Sequence, residues 1–128
     1  MSAIHKVGIV GLGRMGAPMA RHLAAKGFAV SGCDPAAQAR SNARQPGVAI
    51  VDSPREVARA SDLVIIVVGF DHEVEAALFG AEGIVEAARP GLIVAIGSTV
   101  APAYARRLAE RLASKGIILL DAPLARGE

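Results

Sequence analysis

Gly11-Leu12-Gly13-Arg14-Met15-Gly16 places three glycines in the pattern G-x-G-x-x-G, between the apolar run Val7 to Val10 and a helical pattern from Met15 to Lys26. A strand that turns at once into a helix packed against it leaves little room for side chains at the turn. Each glycine then has its own reason: Gly11 for the tight turn, Gly13 for close approach of a ligand to the backbone, Gly16 for close packing of helix on strand. The unpaired N–H groups of the helix start, at the positive end of its dipole, form a seat for phosphate, each contact adding roughly 0.3–1 kcal/mol. No Lys-Ser/Thr pair follows Gly16 to serve the β- and γ-phosphates and Mg²⁺. The pattern therefore suits the diphosphate of a dinucleotide rather than ATP.

The same strand–helix alternation continues along the chain. Gly27 closes the first helix. Strands are expected at Ala29 to Cys33, Val48 to Val51, Leu63 to Val68, Leu92 to Ile96 and Ile117 to Leu120. Helical patterns fill Pro35 to Arg44, Pro54 to Ala60, His72 to Phe79 and Pro102 to Lys115, with a short turn at Gly83 to Ala88. Ser53-Pro54-Arg55-Glu56 reads as a capping box, with Glu56 reaching back to the Ser53 N–H, and Asp71 reads as a cap. Hydrophobic residues make up 52% of the 128 and aromatic ones 3%, so the core is aliphatic, as suits strands buried on both faces. The expectation is one α/β domain over residues 1–128: a doubly wound Rossmann fold, its six-stranded, mainly parallel sheet ordered 3-2-1-4-5-6 with helices on both faces.

Several function classes are disfavoured. Fourteen basic and twelve acidic residues give a net charge of +2, but the charges are interspersed and lack interleaved aromatics. Nucleic acid is therefore not an expected partner. No apolar run approaches the roughly 18 residues of a membrane span, and the N-terminus lacks the regions of a signal peptide. Cys33 is the only cysteine, which excludes an intrachain disulfide and is compatible with a reducing compartment. A cytoplasmic protein with no membrane partner is expected. His5, His22 and His72 are scattered and form no metal-ligand pattern.

Asp34 ends the second strand eighteen positions after Gly16, near the spacing of a ribose-binding acid. A carboxylate there accepts from the 2′- and 3′-hydroxyls of NAD and repels the 2′-phosphate of NADP. Two like charges about 4 Å apart cost about 4 kcal/mol at an effective dielectric near 20, and a third of that gives about tenfold discrimination. Asp34 can equally cap a helix before Pro35. NAD is the expected cofactor, with NADP admissible because Arg40 and Arg44 lie on the next helix.

Gly11 to Gly16 followed by Ala17-Pro18-Met19-Ala20 resembles the opening of the β-hydroxyacid dehydrogenases, which include 3-hydroxyisobutyrate dehydrogenase and the related 6-phosphogluconate dehydrogenase. Gly97-Ser98-Thr99-Val100-Ala101-Pro102 is similar to the family's Ser-Thr-x-x-Pro segment, and Asp121-Ala122-Pro123-Leu124-Ala125-Arg126-Gly127 to its Asp-Ala-Pro-Val-Ser-Gly-Gly segment. The resemblance implies NAD(P)-dependent interconversion of a small β-hydroxyacid and its semialdehyde or ketoacid. It implies that Gly11, Leu12, Gly13, Arg14, Met15 and Gly16 hold the diphosphate, that Val68 and Gly69 line the cofactor, and that Ser98 and Thr99 approach nicotinamide and substrate. Gly69 departs from the family's Leu-Pro. Ala125 stands where the family has a carboxylate-gripping Ser, and Arg126 where it has Gly, so Arg126 is a candidate substrate contact. The alternatives are a helix cap at Ser98 and Thr99 and a solvated arginine at Arg126.

The family's catalytic Lys belongs to a later, helical segment. Lys6, Lys26 and Lys115 sit at a strand start and two helix ends, so no catalytic residue is assigned here. The expectation is a cofactor domain lacking the helical catalytic and dimerisation domain, inactive by itself and homo-oligomeric in the complete enzyme. A non-catalytic dinucleotide-binding module and an imine reductase relative are the competing readings.

Overall fold

The computed structural model describes residues 4–121. Six strands form one sheet: β1 (Lys6–Val10), β2 (Ala29–Cys33), β3 (Val48–Ile50), β4 (Leu63–Ile66), β5 (Ile93–Ile96) and β6 (Ile118–Asp121). Their order is β3-β2-β1-β4-β5-β6, and every neighbouring pair is parallel. Five helices connect them: α1 (Gly16–Ala25), α2 (Ala37–Asn42), α3 (Pro54–Arg59), α4 (Asp71–Phe79) and α5 (Pro102–Ala113), with a 3-10 turn at Ile84–Ala87. The expected order holds.

Strand periodicity sorts the core into two layers. Val7 and Ile9 of β1 and Val30 of β2 pack with Ala17 and Ala20 of α1 and with Ala43 after α2. Val10, Val64, Ile66, Val94 and Ile96 point to the other face. There they meet Val57 of α3, Val74 and Leu78 of α4, and Leu108 and Leu112 of α5. Each fully buried aliphatic side chain contributes roughly 1.5–3 kcal/mol.

Element ends differ from the sequence expectation in instructive ways. β4 stops at Ile66 rather than Val68, and α2 starts at Ala37 rather than Pro35. Asp71 is not the cap of α4 but its first residue; Phe70 holds the cap position, where its own side chain has no acceptor to offer. Glu73 supplies one instead, its Oε1 accepting from the N–H groups of Gly69 and Phe70 at 3.0 Å each. Ser53 caps α3 as expected, accepting from the Glu56 N–H at 3.2 Å. The Glu56 carboxylate lies 3.7 Å from Arg59 and 3.9 Å from Arg55 instead of completing the capping box.

Two carboxylates tie secondary structure together at the surface. Asp62 accepts from the N–H groups of His5 and Lys6 at the start of β1, both at 3.1 Å. Glu75 of α4 accepts from Arg111 of α5 through both oxygens (3.1 and 2.8 Å) and from the Tyr104 hydroxyl at 2.6 Å. The hydrogen bonds from Arg111 and Tyr104 hold the Glu75 carboxyl below its ordinary 4.5, and those from the His5 and Lys6 backbone hold Asp62 below 3.8. A carboxyl lowered in the folded state adds stability above its unfolded pKa and loses it as pH falls through the folded value. Thermal melts of parent and Glu75→Gln are therefore expected to converge as pH falls from about 6 to about 3. Curves that stay parallel over that range would contradict the role given to Glu75.

Candidate functional site

The strand order reverses between β1 and β4, which opens a crevice at the carboxyl ends of the strands, where ligands collect in sheets of this kind. The glycine turn forms its floor. Gly11 has φ +101, and a Cβ on it would lie 2.0 Å from the Val67 carbonyl oxygen. A Cβ on Gly16 would lie 1.8 Å from the Gly11 carbonyl oxygen. Both glycines are thus required by the protein's own packing. Gly13 is not: a Cβ there would meet nothing within 4 Å, and its φ is not positive. The N–H of Gly11 is bonded to Cys33 O and that of Leu12 to Asp34, whereas those of Gly13, Arg14 and Met15 take no backbone acceptor among the described residues. The turn presents open donors beneath open space, which is the shape a diphosphate fits.

Asp34 joins this floor to β2. Its Oδ2 accepts from the Leu12 N–H and its Oδ1 from the Ala36 N–H, both at 2.8 Å. A carboxylate has about four acceptor positions, and two are used here. The N-cap itself is Ala36. Arg40 is half-buried beside Asp34, its Nη1 donating to the carbonyls of Asp34 (2.8 Å) and Pro35 (2.9 Å). Arg44 is not among the residues lining the cleft.

A cleft of about 710 Å³ runs from Val10 and Gly11 past Cys33, Asp34 and Arg40 to Val51 and Asp52, with Val68, Glu73 and Ala77 opposite. Arg14 and Met15 are exposed on the glycine turn, and Gly13 and Arg14 line a neighbouring hollow with Ala17 and Arg21. Val51, Asp52 and Glu73 carry no sequence pattern that marks them as site residues; Asp52 stands two residues after β3, whereas Asp34 directly follows β2. Cys33 is buried, and burial with the neighbouring Asp34 charge pushes its thiol up to about 12. At about pH 8 roughly one molecule in ten thousand carries the thiolate, so Cys33 should react with an aromatic disulfide at least about 100-fold more slowly than an unfolded thiol. A colorimetric thiol assay on native and denatured chain measures the ratio; equal rates would contradict the burial.

Ser98 follows β5 and crosslinks the crevice. Its Oγ accepts from the Val68 N–H at 2.9 Å and donates to the Val68 carbonyl. It does not cap α5, whose N-cap is Ala101. Thr99 is exposed beside it. Gly69 gives its N–H to Glu73. Ala125 and Arg126 lie outside the described residues.

Residues 6–128 match the family described as the NAD binding domain of 6-phosphogluconate dehydrogenase. The chain belongs to this family. L-threonate dehydrogenase of Cupriavidus necator is 37% identical over 121 residues, covering 94% of this chain and 41% of that protein. Human mitochondrial 3-hydroxyisobutyrate dehydrogenase is 32% identical over 94% of this chain and 36% of its own length. The structure of Mycobacterium tuberculosis 3-hydroxyisobutyrate dehydrogenase superposes with a TM-score of 0.87 at 34% identity, over 98% of this chain and 42% of that one. An imine reductase from Myxococcus stipitatus, at 20% identity and TM-score 0.79, shares the fold alone. The chain spans about two-fifths of the length of the family members it matches. It is a dinucleotide-binding domain of an oxidoreductase family.

Proposed function

We propose that this domain holds NAD across the crevice and serves as the cofactor-binding part of an oxidoreductase that interconverts a small β-hydroxyacid and its semialdehyde or ketoacid. The observation that carries this reading is the set of uncommitted N–H groups at Gly13, Arg14 and Met15 under the open face of Gly13. These donors hold the diphosphate. The two free acceptor positions of Asp34 take the adenosine ribose hydroxyls and disfavour a 2′-phosphate.

Val68 and Gly69 line the cofactor beyond the diphosphate, at the crevice side of β4. Ser98 acts mainly by pinning the Val68 backbone, while the exposed Thr99 contacts nicotinamide or substrate. Ala125 and Arg126 complete the substrate end, with Arg126 gripping the carboxylate. Bound NAD supplies the hydride acceptor. The chain's own residues bind and orient it, and none of them is assigned as proton donor to the carbonyl oxygen.

Titration with NADH and NADPH, followed by dihydronicotinamide fluorescence, tests the proposal. Saturable binding with NADH favoured about tenfold is expected. Absence of a saturable signal with either, up to millimolar concentration, would overturn it.

A further inference from the structure

Three carboxylates line the cleft: Asp34, Glu73 and Asp52. Two are committed to the protein's own backbone. Asp34 accepts from Leu12 and Ala36, and Glu73 from Gly69 and Phe70. The Asp52 carboxylate makes no hydrogen bond or ion pair among the described residues, although it lines the same cleft.

Its placement is set by strand register. Gly32 of β2 pairs with Ile50 of β3, and the ladder continues with Val51 N–H donating to Gly32 O at 2.8 Å. Asp34 and Asp52 each stand two residues past that pair, just beyond the ends of β2 and β3, and both line the cleft. The cleft lining that accompanies Asp52 includes the apolar residues Val51, Pro54, Ala76, Ala77 and Ala81. A cleft lined by small aliphatic residues admits a planar ring, and Asp52 adds one exposed acidic group to that lining.

We infer that Asp52 reads the base of the dinucleotide, accepting a hydrogen bond from the exocyclic 6-amino group of adenine and rejecting a 6-oxo purine. This rests on the dinucleotide reading above. An ionised carboxylate can only accept, so it pairs with an amino donor and faces a keto oxygen acceptor to acceptor. The bond to the amino group is charge-assisted. Asp52 is exposed, so water moderates the effect, and the preference expected is about tenfold rather than the far larger ratios of fully buried sites.

The test compares NADH with reduced nicotinamide hypoxanthine dinucleotide, which differs at the 6-position and keeps the same fluorescent reporter. The parent chain is expected to bind NADH about tenfold more tightly. Asp52→Ala should lose that preference by weakening NADH alone. Asp52→Asn, whose amide can donate to a 6-oxo group, should bring the two within about twofold. Circular dichroism checks that both variants keep the fold. Equal binding of the two dinucleotides by the parent, or full preference retained in Asp52→Ala, would overturn the role of Asp52 and leave the dinucleotide site standing. Failure of the parent to bind either would overturn the dinucleotide site, and the role of Asp52 with it.

Discussion

A Gly13→Val variant is expected to lose NADH affinity by at least about 100-fold while melting within about 2 °C of the parent chain. A Cβ at this position has nothing within 4 Å and the backbone φ is not positive, so the fold tolerates a side chain here. It fills the space directly above the open N–H groups of the turn, so a diphosphate cannot reach them. Gly16→Ala is expected to behave in the opposite way. Its Cβ would sit 1.8 Å from the backbone oxygen of Gly11, which cannot move without breaking the turn. A loss of about 4 kcal/mol or more is expected, as for a severe clash in a close-packed interior. Urea unfolding and NADH titration of both variants separate the two effects. If Gly13→Val destabilised as much as Gly16→Ala, or bound NADH normally, the assignment of Gly13 to the ligand would be wrong.

Asp34→Ser is expected to raise the NADPH-to-NADH affinity ratio at least about tenfold. Serine can still hold the Ala36 N–H, so the start of α2 survives, while the negative charge facing a 2′-phosphate is removed. Arg40 is already anchored beside this position by the carbonyls of Asp34 and Pro35, and adds positive charge at the rim. Part of the change will come from weaker NADH binding, because the Leu12 N–H loses its 2.8 Å partner and the glycine turn its tie to β2. Parallel fluorescence titrations give both constants. An unchanged ratio would remove Asp34 from cofactor selection and leave it as a structural link.

The sheet order and the glycine turn were legible because each rests on local rules. Apolar runs of strand length alternate with helical patterns, and glycine recurs where backbones must approach. The three glycines were not equivalent in the way the pattern alone suggests. Tertiary packing separates Gly11 and Gly16, hemmed in by Val67 O and Gly11 O, from Gly13, where a Cβ would meet nothing. Asp34 was visible by its distance from Gly16, but its bond to Leu12 joins residues 22 positions apart and has no sequence signature. Ser98 was read as a cap or a substrate ligand, since both are served by a hydroxyl before a helix. Its partner Val68 is 30 positions away. Glu73 replaced Asp71 at the start of α4 because a longer side chain from the third helical residue reaches two N–H groups at once. Asp52 has no spacing signature, because its place in the cleft follows from β3 lying beside β2.

The most direct measurement is amide-resolved NMR of the isotopically labelled chain during addition of NADH. The largest shifts are expected at the N–H groups of Gly13, Arg14 and Met15, with smaller ones at Leu12 and Ala36 through Asp34. Saturation that moves other amides and leaves those three unchanged would show that the glycine turn is not where the diphosphate binds.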